Sequence, residues 1–150
     1  MGLDRLRAVL QRHQRIALDS SILIYQLEAN PKYIALTDVV FAWLAHPRSH
    51  AVTSTITMTE VLVPPYRKFD QKLVDNFYGL LSTYPNLGWI PVDLEIADLA
   101  ARIRAQHNLR TPDAVHAATA VQARATAFLT NDPVFERIRE FDTLILDRLI

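Results

Sequence analysis

Four acidic residues, Asp19, Glu60, Asp113 and Asp132, stand where an apolar run has just ended or a helical pattern is just beginning, although most of the chain separates the first from the last. Carboxylates gathered at one place repel. At about 4 Å and an effective dielectric near 20 the cost is roughly 4 kcal/mol per pair, which is large beside the marginal stability of a small domain. A divalent cation relieves that repulsion. Mg²⁺ and Mn²⁺ prefer oxygen ligands and retain several waters, so a carboxylate group holding one leaves room for a phosphate oxygen and an attacking water. The chemistry that follows is metal-assisted phosphoester hydrolysis.

Each acid also has a local structural explanation. Thr57-Met58-Thr59-Glu60 fits a capping box, in which the glutamate folds back onto the amide of the capping threonine. Asp113 falls in a first helical turn, where the macrodipole favours a carboxylate. Asp132 precedes Pro133, an ordinary cap-then-proline start, and Asp19 can begin a turn. What distinguishes the four is their joint placement toward one edge of a sheet.

Other chemistries find less support. The chain has no cysteine, so disulfides, thiolate zinc sites and cysteine nucleophiles are excluded. Among five histidines none forms a metal-binding pair on one helix. His116 lies one turn after Asp113 and can reach the same place, although a hydrogen-bonded structural histidine is the more common outcome. Phosphate-binding glycine loops and GxSxG nucleophile motifs are absent.

The elements that must carry these acids alternate between strand and helix. Leu3, Leu6, Val9 and Leu10 recur at helical spacing, predicting an amphipathic helix over 3–13. Ile16 to Leu18 reads as a strand ending at Asp19, with Ser20 and Ser21 as caps of an aliphatic helix to Leu27. Tyr33 to Ala45 is helical. Ala51 to Ser54 is a second strand, Thr57 to Val63 a helix stopped by Pro64-Pro65, and Leu73 to Leu81 another helix. A third strand, Leu87 to Val92, contains Pro91 and so suits a sheet edge or a strand end. Asp93 caps a helix through Ile103, and Thr111-Pro112 opens the small-residue helix of Ala114 to Ala123. Ala127 to Thr130 is a fourth strand, Pro133 opens a helix to about Arg139, and Leu144 to Leu146 is a fifth strand.

This order predicts an α/β fold, a single domain with a mainly parallel sheet of four to five strands covered by helices on both faces. In such sheets ligands gather outside the carboxyl ends of the strands, where Asp19 and Asp132 lie. With 150 residues, half of them hydrophobic, the chain suffices for one core. No apolar run reaches the length needed to cross a bilayer, and the first residues lack a signal-peptide core, so a cytoplasmic protein without membrane contact is expected. Sixteen basic and sixteen acidic residues balance, which argues against strong nonspecific polyanion binding. The clusters Arg5, Arg7, Arg12, Arg15 and Arg102, Arg104, His107, Arg110 read first as solvated helix faces, with a local basic face for substrate as the alternative.

Four segments, IALDSSILIY, TSTITMTEVL, TPDAVHAATA and FLTNDPVF, resemble in order and spacing those of the PIN-domain nucleases, and among them the VapC-type toxins of prokaryotic toxin–antitoxin pairs. The likeness runs from residue 15 to the end. It implies a PIN-like nuclease domain over 15–150, with 1–14 as an N-terminal helical extension. It also implies a Mg²⁺- or Mn²⁺-dependent ribonuclease leaving 5′-phosphate and 3′-hydroxyl ends, with Asp19, Glu60, Asp113 and Asp132 as the catalytic carboxylates. On that model Asp19, Asp113 and Asp132 hold metal while Glu60 positions water. Thr130 and Ser20 or Ser21 match residues that support the acids, and His116 is compatible with the family's helix; from the basic cluster itself, Arg110 or the nearby arginines are expected to bind a substrate phosphate. A homodimer and a VapB-like antitoxin are the implied partners beside RNA. A non-catalytic PIN-like scaffold binding RNA or protein, and a DNA nuclease or phosphatase with the same metal chemistry, are the rival expectations.

Overall fold

Side chains alternate across a strand, and here that alternation divides the apolar residues into two cores. In the computed structural model, which describes residues 1–150, strands β1 (Arg15–Leu18), β2 (His50–Ser54), β3 (Leu87–Ile90), β4 (Ala127–Thr130) and β5 (Asp142–Ile145) form one sheet ordered β3-β2-β1-β4-β5. All four pairings are parallel. Ile16, Leu18, Ala51, Ala127 and Leu129 face one way, and Ala17, Val52 and Phe128 the other.

The first face is covered by α1 (Gly2–Arg12), α2 (Ser20–Leu27), α3 (Ile34–Leu44), α4 (Ile56–Arg67) and α5 (Gln71–Ser82), which contribute Leu6, Ile22, Val40, Val61 and Phe77 among others. The second face is covered by α6 (Leu94–His107) and α7 (Thr111–Gln122). These two run antiparallel, Gln122 near the end of α7 bonding Glu95 near the start of α6 at 3.0 Å. The alanines of α7 are buried from Ala114 to Ala120, letting it lie close on the sheet. The expected single α/β domain is therefore found, with five strands, all parallel. No helix is long and apolar enough to cross a membrane.

Sequence expectation and structure part at several helix ends. The Pro64-Pro65 pair does not stop α4, which continues to Arg67. Two prolines remove the amide donors that would reach the carbonyls of residues 60 and 61, yet Val61 and Pro65 are both buried, and the ladder resumes as Lys68 N–H donates to the Pro64 carbonyl. Tertiary packing outweighs the local penalty. Asp19, not Ser20 or Ser21, caps α2, and Arg110, not Thr111, occupies the cap position of α7. Pro133 opens only a 3₁₀ turn to Arg137, β3 stops at Ile90 ahead of Pro91, and β5 begins at Asp142. β3 is an edge strand, as Pro91 predicts. Asp93 and Asp132 cap as expected, each accepting from a following backbone N–H.

The amino-terminal helix is part of the first core. Leu6 and Leu10 are fully buried against α3 and the closing 3₁₀ turn, Leu146–Leu149. Gly2 abuts that turn so closely that a Cβ at this position would lie 1.6 Å from the Leu149 carbonyl oxygen. The basic clusters are largely solvated faces, with Arg7 paired to Asp4 and Arg102 to Asp98 at exposed positions.

Truncating Leu10 to alanine removes a side chain from a filled interior, and should lower stability by about 2–5 kcal/mol. A urea titration of Leu10→Ala against the parent checks this: a midpoint shift with unchanged slope is expected.

Candidate active site

The strand order changes direction at β1, which pairs with β2 on one side and with β4 on the other. The segment leaving β1 packs on one face of the sheet and the segment leaving β4 on the other, the kind of divide outside which ligands gather in open α/β sheets. The Asp19 amide is tied across it, donating to the Leu129 carbonyl at 2.9 Å.

Asp19 is buried, at 8% exposure, and its carboxylate is held by hydroxyls and an amide rather than by a cation. Oδ1 accepts from the Ser20 amide at 2.8 Å, and Oδ2 from the Thr130 hydroxyl at 2.7 Å. The Ser20 and Ser21 hydroxyls stand farther off, each at 3.4 Å. Thr130 Oγ1 in turn accepts from the Asp132 amide at 3.0 Å, and Asp132 Oδ1 accepts from the Val134 amide at 3.0 Å. One hydrogen-bonded chain thus runs from the end of β1 to the turn after β4.

Glu60 enters from the second turn of α4. The Ser20 hydroxyl donates to its Oε2 at 2.9 Å, and His116 Nε2 lies 2.7 Å from its Oε1. The capping-box alternative is overturned, because the carboxylate reaches across to α2 and α7 and the Thr57 hydroxyl instead meets that of Thr53 at 2.7 Å. His116, itself buried, also stands 3.9 Å from Asp19 Oδ1. Asp113 is bound at Oδ2 by the Arg110 guanidinium, 3.1 Å away, and has no direct bond to the other acids. Arg110 is largely exposed, and its charge is felt at Glu60. The structure therefore links Asp19, Ser20, Glu60, His116, Thr130 and Asp132, with Ser21 at the edge and the Arg110–Asp113 pair alongside.

The two central carboxylates are driven in opposite directions. Burial raises the pKa of Asp19, and neighbouring Glu60 adds to the rise, against the opposing pull of His116, Thr130 and Ser20. Burial also pushes Glu60 upward, but the hydrogen bond and charge of His116, with Ser20 and Arg110, bring it below the usual glutamate range. Ionised Asp19 thus costs stability while Glu60 stays readily ionised.

No three histidine, aspartate or glutamate side chains converge closely enough to enclose a metal ion in this arrangement. The donor chemistry nevertheless suits a hard cation: Asp19, Glu60, Asp113 and Asp132 offer only oxygen, and a positive neighbour would offset the burial that raises the pKa of Asp19. The Arg110 side chain, 80% exposed, currently occupies Asp113 Oδ2.

Asn131, between Thr130 and Asp132, escapes sequence reasoning. Its amide donates to the Tyr25 hydroxyl at 3.2 Å, and its Oδ1 accepts from the Asp147 amide at 2.9 Å. Tyr25 stacks on Tyr33, whose hydroxyl donates to Asp147 at 2.7 Å. The turn after β4 is thereby braced against α2 and the closing turn. Its only sequence signal is a polar residue between two candidates.

A family model described as PIN domain matches residues 16–141. No curated protein matches the chain. Among solved structures the chain is similar to a toxin–antitoxin complex from Klebsiella pneumoniae, with 23% identity and a TM-score of 0.66 over 87% of this chain and 97% of that one. It is also similar to DNA-bound VapBC from Salmonella typhimurium, with 19% identity and a TM-score of 0.66 over 88% and 98% of the two chains. VapBC-5 from Mycobacterium tuberculosis gives 21%, 0.58, 88% and 98% in the same order. At these identities the likeness is one of fold.

The raised pKa of Asp19 fixes a sign. Its neutral form favours the folded state, so that contribution is present below the unfolded carboxyl value and is lost as pH rises through the folded one. Asp19→Asn should therefore melt at or above the parent near pH 7.5 in EDTA, the difference shrinking toward pH 4. Millimolar Mn²⁺ should raise the melting temperature of the parent and leave Asp19→Asn unmoved. Differential scanning calorimetry measures all three.

Proposed function

This chain belongs to the PIN-domain family, and from that premise we propose that it is a divalent-metal-dependent endoribonuclease, the toxin of a VapBC-type toxin–antitoxin pair. The observation that carries the proposal is the linkage of Asp19 to Glu60 through Ser20, and to Asp132 through Thr130, at the point where the sheet changes direction.

Asp19, Asp113 and Asp132 are the residues that would hold Mg²⁺ or Mn²⁺. When bound, such an ion supplies positive charge against the phosphate oxygens and makes water a better nucleophile near neutral pH. The chain's own groups do the rest. Ser20 and Thr130 fix the Asp19 carboxylate so that its lone pairs are aimed before ligand arrives. Ser20 and His116 clamp opposite oxygens of Glu60, which keeps that carboxylate ionised and oriented to take up a water proton. Arg110, on leaving Asp113, is placed to meet a substrate phosphate. The VapBC complexes among the similar structures support a small antitoxin as partner. A homodimer and a cytoplasmic location complete the proposal.

A structural role for the acids explains Asp19 and Asp132, since both cap helical turns. It does not explain Glu60, whose carboxylate bonds side chains of two other helices.

Purified protein with Mn²⁺ should cleave single-stranded RNA and stop on addition of EDTA. Asp19→Asn and Glu60→Gln should each lower kcat by about 100-fold or more while remaining folded. Parallel assays on single-stranded DNA and a phosphate monoester decide the substrate class; an inert RNA pool beside a cleaved DNA or monoester would transfer the activity to that substrate.

A further inference from the structure

The turn joining α4 to α5 ends α4 with a closing pattern that normally calls for glycine. Phe69 N–H donates to the Tyr66 carbonyl and Asp70 N–H to the Pro65 carbonyl, with Phe69 in the left-handed region at φ 54°. An aromatic residue there is strained. Nor does it recover that cost by burial, because Phe69 is 95% exposed and Tyr66 54%. Two aromatic rings at one tip, one of them replacing the glycine that folding favours, point to a use outside the fold.

The same tip carries unengaged positive charge. Arg67, Lys68 and Lys72 are exposed and take part in none of the molecule's ion pairs. The neighbouring acids are already occupied, Asp70 by the Leu73 amide at 3.0 Å and Asp75 by Gln71 at 2.9 Å. Arg67 lies seven residues after Glu60 on one helix, hence on the same stripe of α4 and about 10 Å farther along it. That spacing is about one to two nucleotides of extended single strand.

We infer that the Tyr66–Phe69 tip is a docking element for single-stranded RNA, stacking bases that flank the scissile phosphate while Arg67 and Lys68 hold their phosphates. Interleaved aromatic faces and cations suit a single strand, whose bases are free to stack and whose backbone is anionic. The inference rests on the ribonuclease reading for its substrate, and assigns the tip to binding rather than to chemistry.

The tests are Phe69→Gly, which relieves the turn, and Arg67→Ala. Phe69→Gly should melt at or above the parent temperature, so a loss of binding is not a loss of fold. In EDTA, where no cleavage occurs, fluorescence anisotropy with a labelled 12-nucleotide RNA should show binding weakened by about tenfold in each variant. With Mn²⁺, KM for a long RNA should rise by a similar factor at unchanged kcat, and a dinucleotide, too short to extend from the acids to the tip, should be cut equally by all. Unchanged anisotropy in both variants overturns the docking role even if RNA is cleaved. Weakened anisotropy in a protein that cleaves no RNA upholds the tip and overturns the ribonuclease reading. If light scattering shows that Phe69→Gly changes the oligomeric state while RNA binding is untouched, the tip is a protein interface and the inference fails.

Discussion

The hydrogen bond from Thr130 to Asp19 joins the ends of two adjacent strands and allows a carboxylate to persist out of water. A buried charge without such partners would be neutralised or expelled. Here the hydroxyl, the Ser20 amide and the nearby His116 lessen the penalty without abolishing it, and the pKa of Asp19 remains raised. A positive charge brought beside Asp19 would offset that desolvation cost.

The rest of the architecture holds that bond in register. Parallel pairing of Ile16 with Ala127 and Leu18 with Leu129 fixes how far each strand projects before its polar end begins. Phe128, between them, stacks against Phe135 and Phe141 and anchors β4 from the second face. A slip of one residue would exchange the two cores, so register is defended by burial on both sides. Rigid strands therefore deliver Asp19 and Thr130, while the helices α4 and α7 bring Glu60 and His116 to them.

The fold was legible because its signals are local and repeated: short aliphatic runs, helix-period stripes, and Asp93 and Asp132 as caps. The four acids could be suspected from their positions at element ends. What linked them could not. Ser20 donates to a glutamate forty residues away in sequence, and nothing in either segment announces that meeting. Local rules even misled, since the apparent capping box at Glu60 and the apparent stop at Pro64-Pro65 both yielded to contacts with distant helices. Asn131 passed unnoticed for the same reason, its partners being Tyr25 and Asp147.

The close approach of Gly2 to the Leu149 carbonyl has a topological consequence. It brings the two extremities of the described chain together, so the fold behaves as a nearly closed loop. The closing turn also lies one bond from Asn131 through Asp147, and Asn131 lies between Thr130 and Asp132. The contact at residue 2 and the segment after β4 thus share the closing turn as a common neighbour. A side chain added at residue 2 would be felt not as a surface change but as a displacement of the turn that closes the chain against its own beginning.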